Sequence, residues 1–365
     1  MTEQATGVLT LHQKGGGFLR NPAQSYRPGD NDVFVTQQLI QQYGLETGAE
    51  LTGAVQKGNK GFRLATVDAV CGLAPVDFKG RTRYDKLTAI SPEQRFRLGD
   101  CGNLTMRLVD LISPIGKGTR GLIVSPPKAG KTRILEELAN AIAFSDPAVR
   151  VMVLLVDERP EEVTHFRRQV KAEVLASSSD QDIASHVLLA ETVMAHIQCE
   201  LECGRDIVVL VDSLTRMARA FNSNDRGNKR TMSGGVGAGA LEIPRKFFGM
   251  ARNVENGGSV TVIATALIET GSRMDDLIFQ EFKGTGNMEL VLSRSLAEAR
   301  IFPAIDLRAS GTRRDDLLYS EEEMVWLNAI RRFLASRDPR SALTGLMTQM
   351  EKAPTNADLM NAIKI

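Results

Sequence analysis

The sequence predicts a two-domain protein: a small all-β barrel over residues 1–70, a linker over 71–105, and an α/β domain over 106–365. Three observations lead there. The opening residues alternate in short runs (GVLTLH, GGGFLRN, DVFVT, ELTGAVQKG, GFRLATVDAV) separated by Gly-rich turns, the pattern of a small barrel. The string RGLIVSPPKAGKT at 120–132 sets an apolar strand, a tight Pro/Gly loop and a helix in succession. Two further apolar runs, VMVLLV before Asp157-Glu158 and IVVLV before Asp212, end in acids, and open α/β sheets bind ligands at that carboxyl edge.

Composition narrows the classes without choosing among them. The chain has 365 residues, 42% of them hydrophobic, and a net charge of +1, so a sizeable core is available and any nucleic-acid site must be local. No apolar run is long enough to span a membrane, and the first residues lack the basic segment and apolar core of a signal peptide, so a cytoplasmic protein is expected. The four cysteines (Cys71, Cys101, Cys199, Cys203) read as reduced thiols in packing positions, and the scattered histidines form no metal-ligand cluster.

Within the barrel, a helix is expected over Gln37–Tyr43, stopped by Gly44. Phe18 and Phe34 fall on strands, and Arg20 shares a face with Phe18. Lys57, Lys60 and Arg63 lie nearby. Aromatic rings for base stacking beside cations for phosphates are the components of a single-stranded nucleic-acid platform. An ordinary barrel core is the alternative.

The string at 120–132 is a phosphate-binding loop. Its backbone N–H groups and the following helix N-terminus favour a triphosphate, Lys131 reaches the β- and γ-phosphates, and the Thr132 hydroxyl binds Mg²⁺. Ser125 stands where the usual pattern has its first glycine, and Pro126-Pro127 stiffens the turn. Glu158 is assigned the base that deprotonates the attacking water, and Asp212, at the end of its apolar run, joins the Mg²⁺ shell. Capping of the next helices is the alternative for both.

Downstream, helices are expected over Ile134–Ala143 and Ala240–Asn253, and strands over 259–267 and in MELVLS. Two Gly-rich loops carry cations: NSNDRGNKRTMSGGVGAG with Lys229 and Arg230, and EFKGTGN with Lys283 and Gly284. They suggest a surface that grips a polymer, with solvated turns as the alternative. Phe302, before Pro303, offers a ring to lie against adenine; Arg313, an exposed arginine after a turn, is read as an ordinary solvated charge, with a role at a neighbour's phosphate, as in ring ATPases, as the alternative. The tail from Glu321 is helical, with Met324, Leu327, Ile330, Phe333 and Leu334 as its core stripe.

The strings GGGFLR, SPPKAGKT, LLVDERPEEVT, VLVDSLTRMARAFN, EFKGTGNMEL and FPAIDLRASGTRRDDLL closely resemble the Rho family of bacterial transcription terminators, from about Gly7 to the C-terminus. The resemblance implies an OB/cold-shock-like barrel and a RecA-like P-loop ATPase domain. It also implies a homohexameric, RNA-dependent ATPase and helicase that translocates 5′ to 3′ on nascent single-stranded RNA and releases RNA polymerase, with an elongation factor as a further partner. Its cofactors would be ATP and Mg²⁺. By resemblance, Ser125, Lys128, Ala129, Gly130, Lys131, Thr132, Arg133, Arg159, Asp212, Arg300 and Phe302 bind ATP. Glu158, Lys131 and an arginine finger at Arg313 are catalytic, and Thr132 and Asp212 hold the metal. Phe18, Arg20 and Phe34 form the primary RNA site, with Arg230, Ser233, Lys283 and Gly284 in the central-pore loops.

Three departures accompany the resemblance. Gly16 and Gly61 stand where the family usually has aromatic residues, so weaker loading is expected, since each base–aromatic stack is worth roughly 1–3 kcal/mol. The small helical domain that usually precedes the barrel has no room in these residues. A rotary-type ATPase subunit and an RNA-binding protein with an inactive ATPase fold stand as the other readings.

Overall fold

The computed structural model describes residues 3–58, 61–224, 235–237 and 239–363. In the first domain β1 (Glu3–Leu11) pairs antiparallel with β2 (Gly17–Arg20), and β2 with β3 (Val33–Val35). Strand β4 (Glu50–Gly58) pairs with both β1 and β5 (Gly61–Leu64), and β5 runs parallel to β3, so five strands close on themselves. Closure leaves no free edge among them. Every second residue turns inward, and Leu9, Leu19, Val33, Val35, Leu51, Val55 and Leu64 fill the interior. Helix α1 (Gln37–Tyr43) bridges β3 and β4, started by the Thr36 side chain and stopped by Gly44 in the left-handed region, as expected.

The segment read as a linker carries structure of its own. After strand β6 (Ala69–Val70), which ends the barrel by pairing with β4, the segment forms helix α2 (Pro75–Gly80), and its β7 (Ala89–Ile90) joins the second domain's sheet. Helix α3 (Leu104–Ile112) then opens that domain, and seven of its strands form one ordered array. In sequence order they are β8 (Arg120–Ser125), β9 (Arg150–Glu158), β10 (Glu173–Ser178), β11 (Asp206–Asp212), β13 (Ser259–Leu267), β14 (Met288–Val291) and β15 (Gly311–Thr312). In space the order is β10-β9-β11-β13-β8-β14-β15, all parallel except β15. Strand β12 (Arg252–Val254) ties β7 to β13.

The unbroken apolar runs of β9 and β11 follow from a sheet covered on both faces. Ile123, Val153, Leu155 and Leu210 face α4 (Lys131–Ser145) and the C-terminal helices α11 (Glu321–Ala335) and α12 (Pro339–Lys352). Leu122, Val124, Leu154, Val156 and Val211 face α6 (Ile183–Glu202), α7 (Leu214–Asn224) and α9 (Arg273–Lys283).

Two local expectations are corrected. The helix predicted over 240–253 is α8 (Glu242–Gly249) only; Arg252–Val254 leave it to pair as β12, and the sheet's hydrogen bonds outweigh the helical apolar spacing. On α11, Leu327, Ile330 and Leu334 are buried and Met324 packs beside them, but Phe333 is 51% exposed, off the core stripe.

The barrel and the second domain meet tightly along α6 and β10. Gly48 lies so close to α6 that an added Cβ would stand 2.4 Å from the Ala195 carbonyl oxygen, and its φ is +98°. The His196 Nδ1 is 2.8 Å from the Gly48 carbonyl oxygen, the Tyr26 hydroxyl donates to Glu173 at 3.0 Å, and the Ala176 N–H donates to Ser25 Oγ at 2.9 Å. Arg150 on β9 pairs with Glu50 of the barrel at 3.1 Å.

Candidate active site and barrel face

The phosphate loop leaves β8 in the middle of the sheet. Ser125 is fully buried and its hydroxyl donates to the Pro126 carbonyl at 2.8 Å, so a small side chain serves where the usual pattern has glycine. Lys128 and Gly130 adopt left-handed φ values of 64° and 94°, which turn the loop into the N-terminus of α4. The first helical residues are Lys131 and Thr132, so their backbone N–H groups and the helix dipole face the loop's concavity.

Asp212 ends β11, the strand beside β13, and is fully buried. Its carboxylate receives the Lys131 ammonium at 2.5 Å and the Thr265 hydroxyl at 2.8 Å. Thr265 was not foreseen; it lies on β13, and only strand order reveals that it orients the acid. Glu158 ends β9, the strand beside β11, and is 1% exposed. Burial first, then the neighbouring Asp212 charge, push its carboxyl up to about 7, against the pull of Lys131 and Arg216. Its Oε2 lies 3.3 Å from Arg216 Nε yet accepts no hydrogen bond, and so stands ready for a proton.

Arg216 is the second residue the sequence reading missed. It sits in the first turn of α7, donates to the Asp157 carbonyl, and reaches Glu158 Oε1 at 3.3 Å. Asp157 is itself left-handed, with φ 55°, and its carboxylate lies 3.9 Å from His186 Nε2. The capping alternative for Glu158 does not apply: the α5 helix (Pro160–Gln169) begins after Arg159 with no side-chain cap.

Phe302 is 41% exposed and its ring lies against Gly130: a Cβ there would be 3.5 Å from the ring. With Ala129, Arg133, Glu137 and Pro303 it lines a cleft behind the loop. Arg133 pairs with Glu137 at 2.8 Å at the rim. Lys128, Arg159 and Arg300 are exposed, Arg300 with φ 59°.

Arg313 stands apart. It follows β15, whose Thr312 pairs with Met288, and Met288 pairs with Gly121 at the start of β8. Its backbone N–H donates to Asn287 at 2.7 Å, and Asn287 in turn holds Arg120. The phosphate loop leaves the other end of β8, roughly 16 Å away at ~3.3 Å per residue. Exposed Lys283 and Gly284, at the end of α9, likewise precede the start of β14. Arg230 and Ser233 lie outside the described residues.

On the barrel, Phe18 and Phe34 are cross-strand partners with ring centroids 5.4 Å apart, edge to face. The Arg20 guanidinium sits 5.3 Å over Phe18 and pairs with Asp32, so Arg20 is braced and largely neutralised. Gly16 has φ 76°, and a Cβ there would meet the Phe34 ring at 2.6 Å. The Phe34 ring thus covers the space that a side chain at Gly16 would need. Gly61, with φ 118°, faces open space.

Comparison with known proteins agrees with this division. The family model of the Rho termination factor RNA-binding domain matches residues 5–76, and that of the ATP synthase alpha/beta family nucleotide-binding domain matches 105–312. The transcription termination factor Rho of Haemophilus influenzae is 45% identical over 365 residues, covering 98% of this chain and 87% of its own length. The chain belongs to the Rho family of transcription termination factors. The Escherichia coli Rho is 44% identical with the same coverage. The Streptomyces lividans Rho is 47% identical over 354 residues, 95% of this chain, which spans 50% of that relative's length.

Among solved structures, an ATPase from the type III secretion system of pathogenic bacteria matches with TM-score 0.62 and 22% identity, covering 80% of this chain and 81% of that one. An ATP synthase subunit from Nanoarcheaum equitans matches with TM-score 0.57 and 18% identity, over 68% and 62%. These likenesses establish the fold: a RecA-like ATPase domain behind an OB-like barrel. A nucleotide-binding ATPase domain and an RNA-binding domain are therefore joined in one Rho-family chain. Among the described residues no helix is long and apolar enough to cross a membrane.

Proposed function

We propose that this protein is an RNA-dependent ATPase that works as a ring of six copies in the cytoplasm, moves 5′ to 3′ along a nascent transcript and releases RNA polymerase from it. The observation that carries the reading is the buried Glu158, raised to about 7 and facing Asp212 and Lys131, with Arg313 at the far end of the same sheet. A site with its base in place and its finger remote from it is completed by a neighbour.

In the proposed reaction the loop N–H groups and Lys131 hold the β- and γ-phosphates, while Phe302 stacks on the base. Thr132 and Asp212 offer a hydroxyl and a carboxylate, hard oxygen donors suited to Mg²⁺, an ion that takes one or two protein groups and the phosphates and needs no larger acidic cluster. When bound, that ion would neutralise charge on the phosphate oxygens. Glu158 accepts the proton of the attacking water, and Arg216 holds its carboxylate in position. The Arg313 of the adjacent copy stabilises the charge that develops on the γ-phosphate.

RNA binds first on Phe18 and Phe34, and Arg230, Ser233, Lys283 and Gly284 grip it in the pore. An elongation factor acts as a further partner at release. ATP turnover measured with and without RNA homopolymers tests the proposal: strong stimulation by RNA is expected. Turnover indifferent to RNA would favour a rotary-type subunit, whose nucleotide-binding domain shares this fold.

A further inference from the structure

The cleft behind the phosphate loop holds one group that the reaction proposed above leaves unused. Glu137 stands on α4 six residues beyond Lys131, about 9 Å along the helix axis at 1.5 Å per residue. The same helix thus offers its N-terminus to phosphates and its second turn to what lies behind them. Ala129, Ile134 and Pro303 give the cleft apolar walls, with the Phe302 ring against Gly130. Among the described residues, the polar side chains lining it are those of Thr105, Arg133 and Glu137.

These three differ in what they can do. The Thr105 hydroxyl both donates and accepts, so it distinguishes one base edge from another poorly. Arg133 is a cation at the rim, its side chain 76% exposed, and its Nε is spent on Glu137 Oε1 at 2.8 Å. The Glu137 carboxylate only accepts, and its side chain is 15% exposed. An ordinary pair of residues one helical turn apart accounts for Oε1. It does not account for Oε2, which is buried and receives no hydrogen bond. A buried carboxylate oxygen without a donor is costly, and a ligand that brings an N–H recovers that cost.

We propose that Glu137 selects the nucleobase: its Oε2 accepts a hydrogen bond from the exocyclic amine of adenine, which favours ATP over a triphosphate whose purine carries hydrogen or oxygen at that carbon. The proposal rests on the reading of Phe302 as the ring on which the base stacks. The adenine face then lies on Phe302 and its amino edge meets the carboxylate in a charge-assisted bond. The keto oxygen of guanine in that place sets acceptor against acceptor and leaves Oε2 without a donor. Arg133, bound to Oε1, offsets the negative charge that Glu137 brings near a triphosphate.

The test measures displacement of a ribose-labelled fluorescent ATP from the whole protein in Mg²⁺, with ATP, purine riboside triphosphate and GTP as competitors. At the same purine carbon the first carries an amine, the second hydrogen and the third oxygen. The parent protein should bind ATP about 10–100-fold more tightly than purine riboside triphosphate, the worth of one hydrogen bond to a charged group, and GTP no better than the latter. Glu137→Ala should bring ATP and purine riboside triphosphate together. Glu137→Gln keeps the shape and can turn an amide N–H toward a keto oxygen, so it should narrow the gap between ATP and GTP. Phe302→Ala should weaken all three ligands and leave their order intact. Equal binding of ATP and purine riboside triphosphate by the parent would overturn the role of Glu137 while leaving the cleft as the base site. So would parent preferences kept in Glu137→Ala or, should that variant not fold, in Glu137→Gln. Unchanged binding of every ligand in Phe302→Ala would overturn the base site itself, and the proposal with it.

Discussion

The phosphate site and the barrel face bind parts of the same proposed cycle, yet they are built in opposite ways. Around Asp212 every group is held by another: Lys131, Thr265, Glu158 and Arg216 form one buried, charged lattice at the ends of three adjacent strands. On the barrel, two partly exposed rings and one neutralised arginine stand on short strands beside glycines. Chemistry on a phosphate needs charges fixed in low dielectric, where a small displacement costs orders of magnitude in rate. Holding a single strand needs only flat apolar surface, and its energy adds up base by base. Single substitutions should therefore be catastrophic in the first region and graded in the second.

The largest effect belongs to Arg313. Arg313→Ala should lower RNA-stimulated hydrolysis by about 10³–10⁵ while leaving nucleotide affinity near that of the parent. Mixing Arg313→Ala with Glu158→Gln copies should recover part of the activity, because some interfaces then join an intact base to an intact finger. No recovery in mixed rings would show that the arginine acts within its own subunit. Glu158→Gln alone should cost about 10²–10⁴ in turnover, with ATP still bound; hydrolysis unchanged in that variant would remove Glu158 from the mechanism.

A pH profile tests the electrostatics of the same residue. A base raised to about 7 must lose its proton to work, so turnover should rise as pH increases through about 7 and flatten above it. Arg216 holds that carboxyl down, so Arg216→Ala should move the acid limb to higher pH. A profile flat between pH 6 and 8, both values chosen to span that pKa by about one unit, would break the contrast between the two regions.

The barrel predictions are smaller. Phe18→Ala or Phe34→Ala should weaken binding of a short oligo-cytidine by roughly 1–3 kcal/mol without changing turnover at saturating RNA. Replacing the missing aromatics is not symmetrical. A side chain at Gly16 collides with the Phe34 ring, and one at Gly61 enters open space but strains a backbone at φ 118°. Gly16→Phe should therefore gain no affinity, measured by the same titration, and this thin site should bind oligo-cytidine more weakly than Rho relatives with both aromatics.

How much of this was legible depended on range. Lys131, Thr132, Asp212 and Glu158 are readable because strand, loop and acid follow one another locally, and the fold class followed from them. Arg216 and Thr265 were not, since strand order alone brings them to Glu158 and Asp212 across more than fifty residues. The role of Arg313 came from resemblance; its distance from its own phosphate loop came from the register of β15, β14 and β8. On the barrel, Phe34 was legible as a strand aromatic, but its ring over Gly16 depends on how two strands fold past each other. The helix over 240–253 was misread because apolar spacing cannot register that β13 has an open edge at Arg252–Val254.

The contact at Gly48 gives the barrel–motor seam a mechanical meaning. With no room for even a methyl group between the barrel loop and α6, the two domains have no slack between them. Gly48→Ala should cost roughly 1–3 kcal/mol by overpacking, read as a lower thermal midpoint. In the proposed cycle, the barrel that holds RNA is therefore seated directly on α6, which packs against the sheet that carries the phosphate site.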